Sequence, residues 1–432
     1  MSPLSILAVS LFVIPLCGPI IIEPFIAVRD LWTTKEFLVL MAILAIVAVN
    51  YHRRPVNSPD ENIGHSNIKS PAPVNYHRRP VNSPFIALLL FLPVSTFAAP
   101  PLELIYGHEN MAGLWIWRSL AWCFAYFLLY RALCGQDVQE GHKTAITRAI
   151  GWAAIVSAGY AYLQALGVDQ WQISRPMSEI GQPAAVNITA MIGNPTYLAV
   201  WMVMCLPFLR GWWILFVVGA VVLCKSDIAL AGVVLEAVIW TCLRAKSTLW
   251  LKAVLGAGLA ACVIVAVNWA EIRPHLTDNG RFAVWAQTFE DWKAPCIKLA
   301  ITDDMSSAQK QEIQKLNKRT YSLTGRGLGS FPYIFSPKFG TNYESAHNEY
   351  LEGLYSIGLI GLALFMAAIG WVFWHTFTIA RADPFCMALY TSLFFCCFAA
   401  FGLPTLHVEP LRFYSAVMFC LLSSMIQRKN NC

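Results

Sequence analysis

Apolar residues run through this chain in long stretches, and polar residues collect in the gaps between them. The stretches lie near 3–22, 36–50, 85–102, 113–133, 146–166, 193–209, 211–224, 228–243, 249–270, 351–373, 385–405 and 411–426. Their lengths approach the roughly 17–25 residues that carry a helix across a hydrocarbon core of about 30 Å. Within lipid, only helices and closed barrels satisfy their own backbone groups. These runs are too long and too little alternating to be barrel strands. The pattern predicts an all-α polytopic membrane protein of about 12 transmembrane helices, with one long loop between the ninth and the tenth. The first run lacks the basic flank and small-residue cleavage site of a signal peptide, so it reads as a membrane helix. Composition agrees: 57% hydrophobic against 13% charged residues excludes an ordinary soluble domain.

Charge adds an orientation. With the N-terminus inside, 15 Lys and Arg fall on the inner side and six on short outer segments and helix ends. The other 10 lie in 271–350, a loop long enough to be exempt from the rule. Both termini are therefore expected on the inner side, with 271–350 outside. The net charge of +6 is topological on this reading and implies no nucleic-acid partner. The 13 cysteines are scattered through apolar stretches with no C-x-x-C pair, and so read as small buried hydrophobes. No D-x-D or Cys/His cluster suggests a metal, and no cofactor is expected.

The segment "VNYHRRPVNSP" occurs at 49–59 and again at 74–84, within a predicted inner loop, 51–84. Two identical copies are too few for a solenoid and read as a duplication within a linker without fixed structure. Its basic pairs serve as a topology signal or touch anionic lipid heads.

Three groups carry candidate chemistry. In "DNGRFAVWAQTFEDW", Arg281 and Trp285 are four apart and would share a helix face. The planar guanidinium suits phosphate oxygens, and Trp suits a sugar face; the alternative is an interfacial anchor pair. In "GRGLGSF", the glycines would let backbone N–H groups approach an anion beside Arg326, or the segment is simply a turn. In "ESAHNEYLEGLYSIGLIGLALF", residues Glu344, His347, Asn348, Glu349 and Glu352 stand at the lip of an apolar helix. The His347 imidazole can accept a proton near neutral pH, with Asn348 or a carboxylate fixing its tautomer; the alternative is a polar cap. Elsewhere in the long loop, "SSAQKQEIQKLNKRT" predicts a helix starting at Ser306 or Ser307, with Ile313 and Leu316 on one face. A second outer segment, 167–192, includes Arg175.

The order "NGRFAVW", "GRGLGSFPYIF", "AHNEYLEGLYSIGLIGLALF" resembles the signature of the O-antigen ligase and polymerase superfamily. These are polytopic inner-membrane proteins with one long outer loop and the pattern G-R-x-x-x-W, G-x-G-x-x-F, H-N-x-Y-L. "IGNPTYLAVWMVMCLP" resembles the family's N-P-N-x-L-A helix start, with Thr196 at the second Asn. The similarity covers a core at 190–370. It implies a metal-independent, inverting membrane glycosyltransferase. Such an enzyme moves a glycan from a polyprenyl-pyrophosphate carrier to an acceptor hydroxyl at the outer face. The acceptor is a glycan, lipid A–core or a protein, and membrane lipid surrounds the whole. The resemblance makes His347 the base and Arg281 the principal pyrophosphate clamp, with Lys225 and Arg326 as helpers and Asn348, Trp285 and Asn194 in support.

One departure stands out. Where the family carries Ser-Arg, "LCKSDIALAG" has Asp227 at the arginine position, and Lys225 brings a point charge two residues earlier. A cradle redrawn around Arg326 and Arg175 is the fallback. Two other readings remain: a noncatalytic degenerate relative, and a multipass transporter. The latter requires an ionisable group near a helix midpoint, and Arg118 in "LWIWRSLAWCFAYF" is the candidate considered.

Overall fold

The structure, a computed structural model, describes residues 2–16, 31–52, 83–97, 111–134, 136, 138–168, 188, 190, 192, 194–244, 281–293, 306–307, 310–311, 314, 321–327, 331, 345–403 and 409–429. The regular elements among them are helices: α1 (Pro3–Leu16), α2 (Leu31–His52), α3 (Ser83–Phe97), α4 (Met111–Leu133), α5 (Glu140–Ala165), α6 (Pro195–Cys205), α7 (Trp212–Leu223), α8 (Asp227–Arg244), α9 (Arg281–Lys293), α10 (Glu349–Ala382), α11 (Pro384–Ala399) and α12 (Glu409–Lys429), with a short 3-10 turn at Leu206–Phe208. Every apolar run but 249–270 coincides with one of them; that run lies outside the described residues. So do nearly all of the loop 51–84, Arg175, Ile313, Leu316 and Glu344. Of the described helices, α10 alone is long and apolar enough to cross a bilayer by itself. The apolar stretches of the shorter ones run 10–17 residues.

α6 is the hub. Every side chain from Leu198 to Cys205 is completely buried, the expected place for a helix that is hydrophobic all round. It packs against α5, α7, α8, α11 and α12. Its start is fixed by Asn194, whose Oδ1 accepts the Thr196 and Tyr197 amides at 2.9 and 3.3 Å, with Pro195 at the first helical position. α11 lies between α8, α10 and α12. Asp383 caps α11 through the Phe385 amide (2.8 Å), and its second oxygen accepts Lys143 Nζ at 2.6 Å, which ties α5 to the α10–α11 corner. Large apolar side chains point outward on several helices, among them Leu90, Phe124, Trp152, Leu215, Val234 and Trp374.

α10 is two helical pieces joined across a kink. At Gly358 the backbone takes φ 68°, ψ −176°, a region open only to glycine. The break strands backbone groups that an intact helix would pair with one another. Residues 321–327 supply the partners. Leu359 N donates to Ser322 O (2.9 Å) and Ile360 N to Leu323 O (3.1 Å); Arg326 N donates to Tyr355 O (3.1 Å) and Gly327 N to Ser356 O (2.9 Å). The approach is close enough that a Cβ on Gly358 would strike the Gly325 nitrogen and the Leu323 carbonyl. Gly358→Ala is therefore expected to destabilise the protein by about 1–3 kcal/mol from backbone strain alone. It is also expected to expose residues 321–327 to limited proteolysis in detergent. Unchanged melting and cleavage would show that the docking is dispensable.

Candidate functional site

The predicted site residues of the long loop and the α10 start form one assembly at the end of the bundle where α11 terminates. α9 begins at Arg281 and buries Val284, Thr288 and Asp291, a stripe at spacing 4 and 3 that lays one face on the bundle. α9 packs along α10, and the two are joined by hydrogen bonds. Trp285 Nε1 donates to the Ala346 carbonyl at 2.9 Å, and Trp292 Nε1 to the Ser322 carbonyl at 3.1 Å. Arg281 Nη1 donates to the Gly402 carbonyl at 3.1 Å, just past the end of α11. The N-terminus of α10 is pinned to the same corner by Glu349 N to Ala400 O (2.9 Å) and the Tyr350 hydroxyl to Cys397 O (2.7 Å).

His347 sits in this corner with φ 52°, a left-handed conformation that few non-glycine residues adopt. Its neighbours hold it there. The Ser345 hydroxyl accepts the His347 amide at 3.2 Å, and Glu352 Oε2 accepts the Ala346 amide at 3.2 Å. Asn348 Oδ1 caps α10 by accepting the Tyr350 and Leu351 amides, each at 3.1 Å. Ser345, Ala346, Asn348 and Glu352 are all buried, whereas His347 is half-buried. The imidazole therefore stands on an ordered, largely inaccessible base.

The arginines differ sharply in circumstance. One N–H of Arg281 is spent on Gly402, and no other partner is recorded for it among the described residues. Arg281 is only partly buried, unlike Arg326. Arg326, expected as a second pyrophosphate contact, is instead 2% exposed. Its Nη1 pairs with Asp291 Oδ2 and donates to the Tyr355 hydroxyl at 2.6 Å, while Nη2 donates to the Asp291 carbonyl. The Tyr355 hydroxyl in turn donates to Asp291 Oδ2 at 2.9 Å, and the guanidinium lies 4.4 Å from the Tyr355 ring centre. Its charge is matched and its donors face protein, so it lacks the open face of a phosphate clamp. It anchors the loop that fills the Gly358 break.

Lys225 and Asp227 belong to the turn between α7 and α8. Lys225 is exposed and, like His347, has positive φ (53°), here as the residue that ends α7. Ser226 begins α8, and Asp227 is its first residue, where a carboxylate interacts favourably with the helix dipole. That accounts for an acid at the start of α8. A Cβ on Gly402 would strike Ile228, so the α8 start and Arg281 both contact the same glycine. Asn194 serves as a helix cap and has no recorded contact with this cluster. Arg118 lies in α4.

Sequence reading missed Asp291 and Tyr355 as fixing groups, whereas Glu352 stood within the polar lip it singled out. Only Asp291 carried a local signal, a carboxylate on the buried stripe of α9. No protein-family model and no curated protein sequence matches the chain.

Asp291→Ala would leave the buried Arg326 charge without the Asp291 carboxylate, at an expected cost of about 3–5 kcal/mol. Replacing both partners with apolar residues, Asp291→Leu with Arg326→Met, is expected to recover much of that loss. Thermal unfolding of the three proteins measures this, and an Asp291→Ala melt equal to wild type would remove the pair from the account.

Proposed function

We propose that the chain is a membrane glycosyltransferase of the O-antigen ligase or polymerase type. On this reading it crosses the inner membrane about 12 times, with residues 271–350 outside and both termini in the cytoplasm. The apolar side chains pointing outward from the helices are then lipid-facing. The donor is a glycan on a polyprenyl pyrophosphate, and the acceptor is a hydroxyl of a glycan, of lipid A–core or of a protein.

The observation that carries the proposal is the strained, partly open His347 on a buried scaffold that also holds Arg281. Strain of this kind persists where surrounding structure over-determines it, and it concentrates at functional sites. His347 takes the proton of the acceptor hydroxyl as that oxygen attacks the anomeric carbon. The Arg281 guanidinium, with Lys225, stabilises the negative charge developing on the departing pyrophosphate. A single displacement inverts the anomeric centre. Trp285 places Ala346, and Asn348 sets the direction of α10; both position the base. Arg326 contributes by holding the loop rather than by touching the donor.

A reconstituted assay with lipid-linked donor tests this. His347→Ala is expected to lower transfer by about 10²–10⁴-fold at matched levels of inserted protein. Arg281→Lys is expected to fall nearly as far as Arg281→Ala, because a point charge does not reproduce the fork. Wild-type transfer by His347→Ala would sink the base assignment, and normal kinetics for Arg281→Lys would make Arg281 an anchor. At the α8 start, Lys225→Ala is expected to weaken donor use while Asp227→Arg is tolerated; loss of transfer in well-inserted Asp227→Arg would overturn that half of the cradle.

One observation favours a second reading, a proton-coupled transporter: a carboxyl stands at the middle of α8, where such a mechanism needs an ionisable group.

A further inference from the structure

Glu236 is the tenth of the 18 residues of α8, in the otherwise apolar "VVLEAVIW". It is 4% exposed, and neither carboxyl oxygen has a hydrogen-bond partner. From α6, Cys205 lies within electrostatic reach. α11 runs antiparallel to α8: Ile228 meets Gly402, and a Cβ on Gly232 would strike the Phe395 ring. One turn further, the register brings Glu236 to the level of Thr391 and Ser392. Their hydroxyls already donate to the Met387 and Ala388 carbonyls, at 2.9 and 2.8 Å.

The other titratable groups on the packed helices are engaged elsewhere. Tyr390 meets Phe373 and Phe377 of α10 edge-on, and Cys386 sits with Asp383 and Lys143. Cys396 and Cys397 sit with Tyr350 at the opposite end of α11. On α10, Glu352 and Tyr355 belong to the site assembly and His375 rests on Trp371. The sequence of α7, "WWILFVVGAVVL", has no titratable residue. Among the described residues, then, nothing supplies a cation or a donor to Glu236.

A carboxylate withdrawn from water without a partner is strongly disfavoured, so this seat accepts the neutral acid and resists the anion. A divalent cation would need several more oxygen ligands, whereas a proton needs only the one carboxyl. We propose that Glu236 is a proton-binding site in the interior of the bundle, and that losing its proton loosens α8 from α6 and α11. The step is a simple ionisation: the O–H bond breaks, the electron pair stays on the carboxylate, and the proton passes to water entering along α8. Because α8 begins at Lys225 to Asp227, its packing sets where those groups stand. The inference requires that the bundle lie in a membrane but not that it transfer sugars, and neither measurement below reads transfer.

The full chain in lipid vesicles is examined by infrared difference spectroscopy, wild type against Glu236→Gln. The expected spectrum contains the carbonyl stretch of a neutral carboxylic acid at neutral pH, absent from Glu236→Gln and lost as pH rises. Over the same interval, amide exchange across 227–244, corrected for its intrinsic pH dependence, is expected to rise several-fold in wild type and to stay level in Glu236→Gln. Carboxylate bands at neutral pH would overturn the proton site. A titrating acid band with identical exchange in the two proteins would overturn the link to α8. Glu236→Leu supplies the reference if Glu236→Gln does not insert, and failure of both would overturn the proposal, because an unpartnered neutral acid is replaceable by either.

Discussion

An interrupted helix inside a packed bundle must find partners for the backbone groups it releases, and the organisation of the site follows from how α10 meets that demand. At Gly358 two N–H and two C=O groups turn to residues 321–327 rather than to their own helix. An unpaired backbone group away from water costs about as much as a lost hydrogen bond, so the loop is a required component of the helix. Its docking explains why glycine occurs at both 325 and 358, each with positive φ and each close against the other's backbone. It also divides α10 into Glu349 to Ile357, which carries the polar corner, and a remainder of roughly 36 Å at 1.5 Å per residue, long enough to span a bilayer.

Electrostatics then sorts the charged groups into two kinds. Arg326 and Asp291 are withdrawn from solvent together and joined by the Tyr355 hydroxyl, an arrangement whose value is geometric definition more than net stability. Arg281 and Lys225 stay within reach of solvent, and neither forms an ion pair among the described residues. A ligand's negative charge can compete for the second kind and not for the first. Asp227 fits the same division, since its carboxylate answers the helix dipole at the start of α8 and need not be neutralised by Lys225.

How much of this was legible depended on distance along the chain. The apolar runs located the helices, because hydrophobicity over 15–20 residues is a local property. The spacing of Arg281 and Trp285 and the polar lip at His347 were visible for the same reason. Arg326 was misjudged because a glycine-flanked arginine reads alike whether it faces an anion or a buried carboxylate 35 residues away. The break at Gly358 hid inside a run whose hydropathy is uniform, where glycine is common enough in membrane helices to carry no warning. Glu236 was legible in itself: a single acid in "VVLEAVIW" is a plain departure from the pattern.

The last relation concerns assembly. Arg281, His347 and Lys225 come from three segments with no local connection, and each is referred to the turn that ends α11. Arg281 bonds the Gly402 carbonyl, α10 begins against Ala400, and the residue following Asp227 packs on the Gly402 α-carbon. α11 is in turn fixed at its other end, where Asp383 joins Lys143. A shift of α11 would therefore move all three groups together and preserve their mutual geometry, whereas a shift of α8 would move Lys225 relative to the other two. The α8 interface is thus a place where a change inside the bundle can alter the site's electrostatics without dismantling it, and the buried carboxyl of Glu236 lies in that interface.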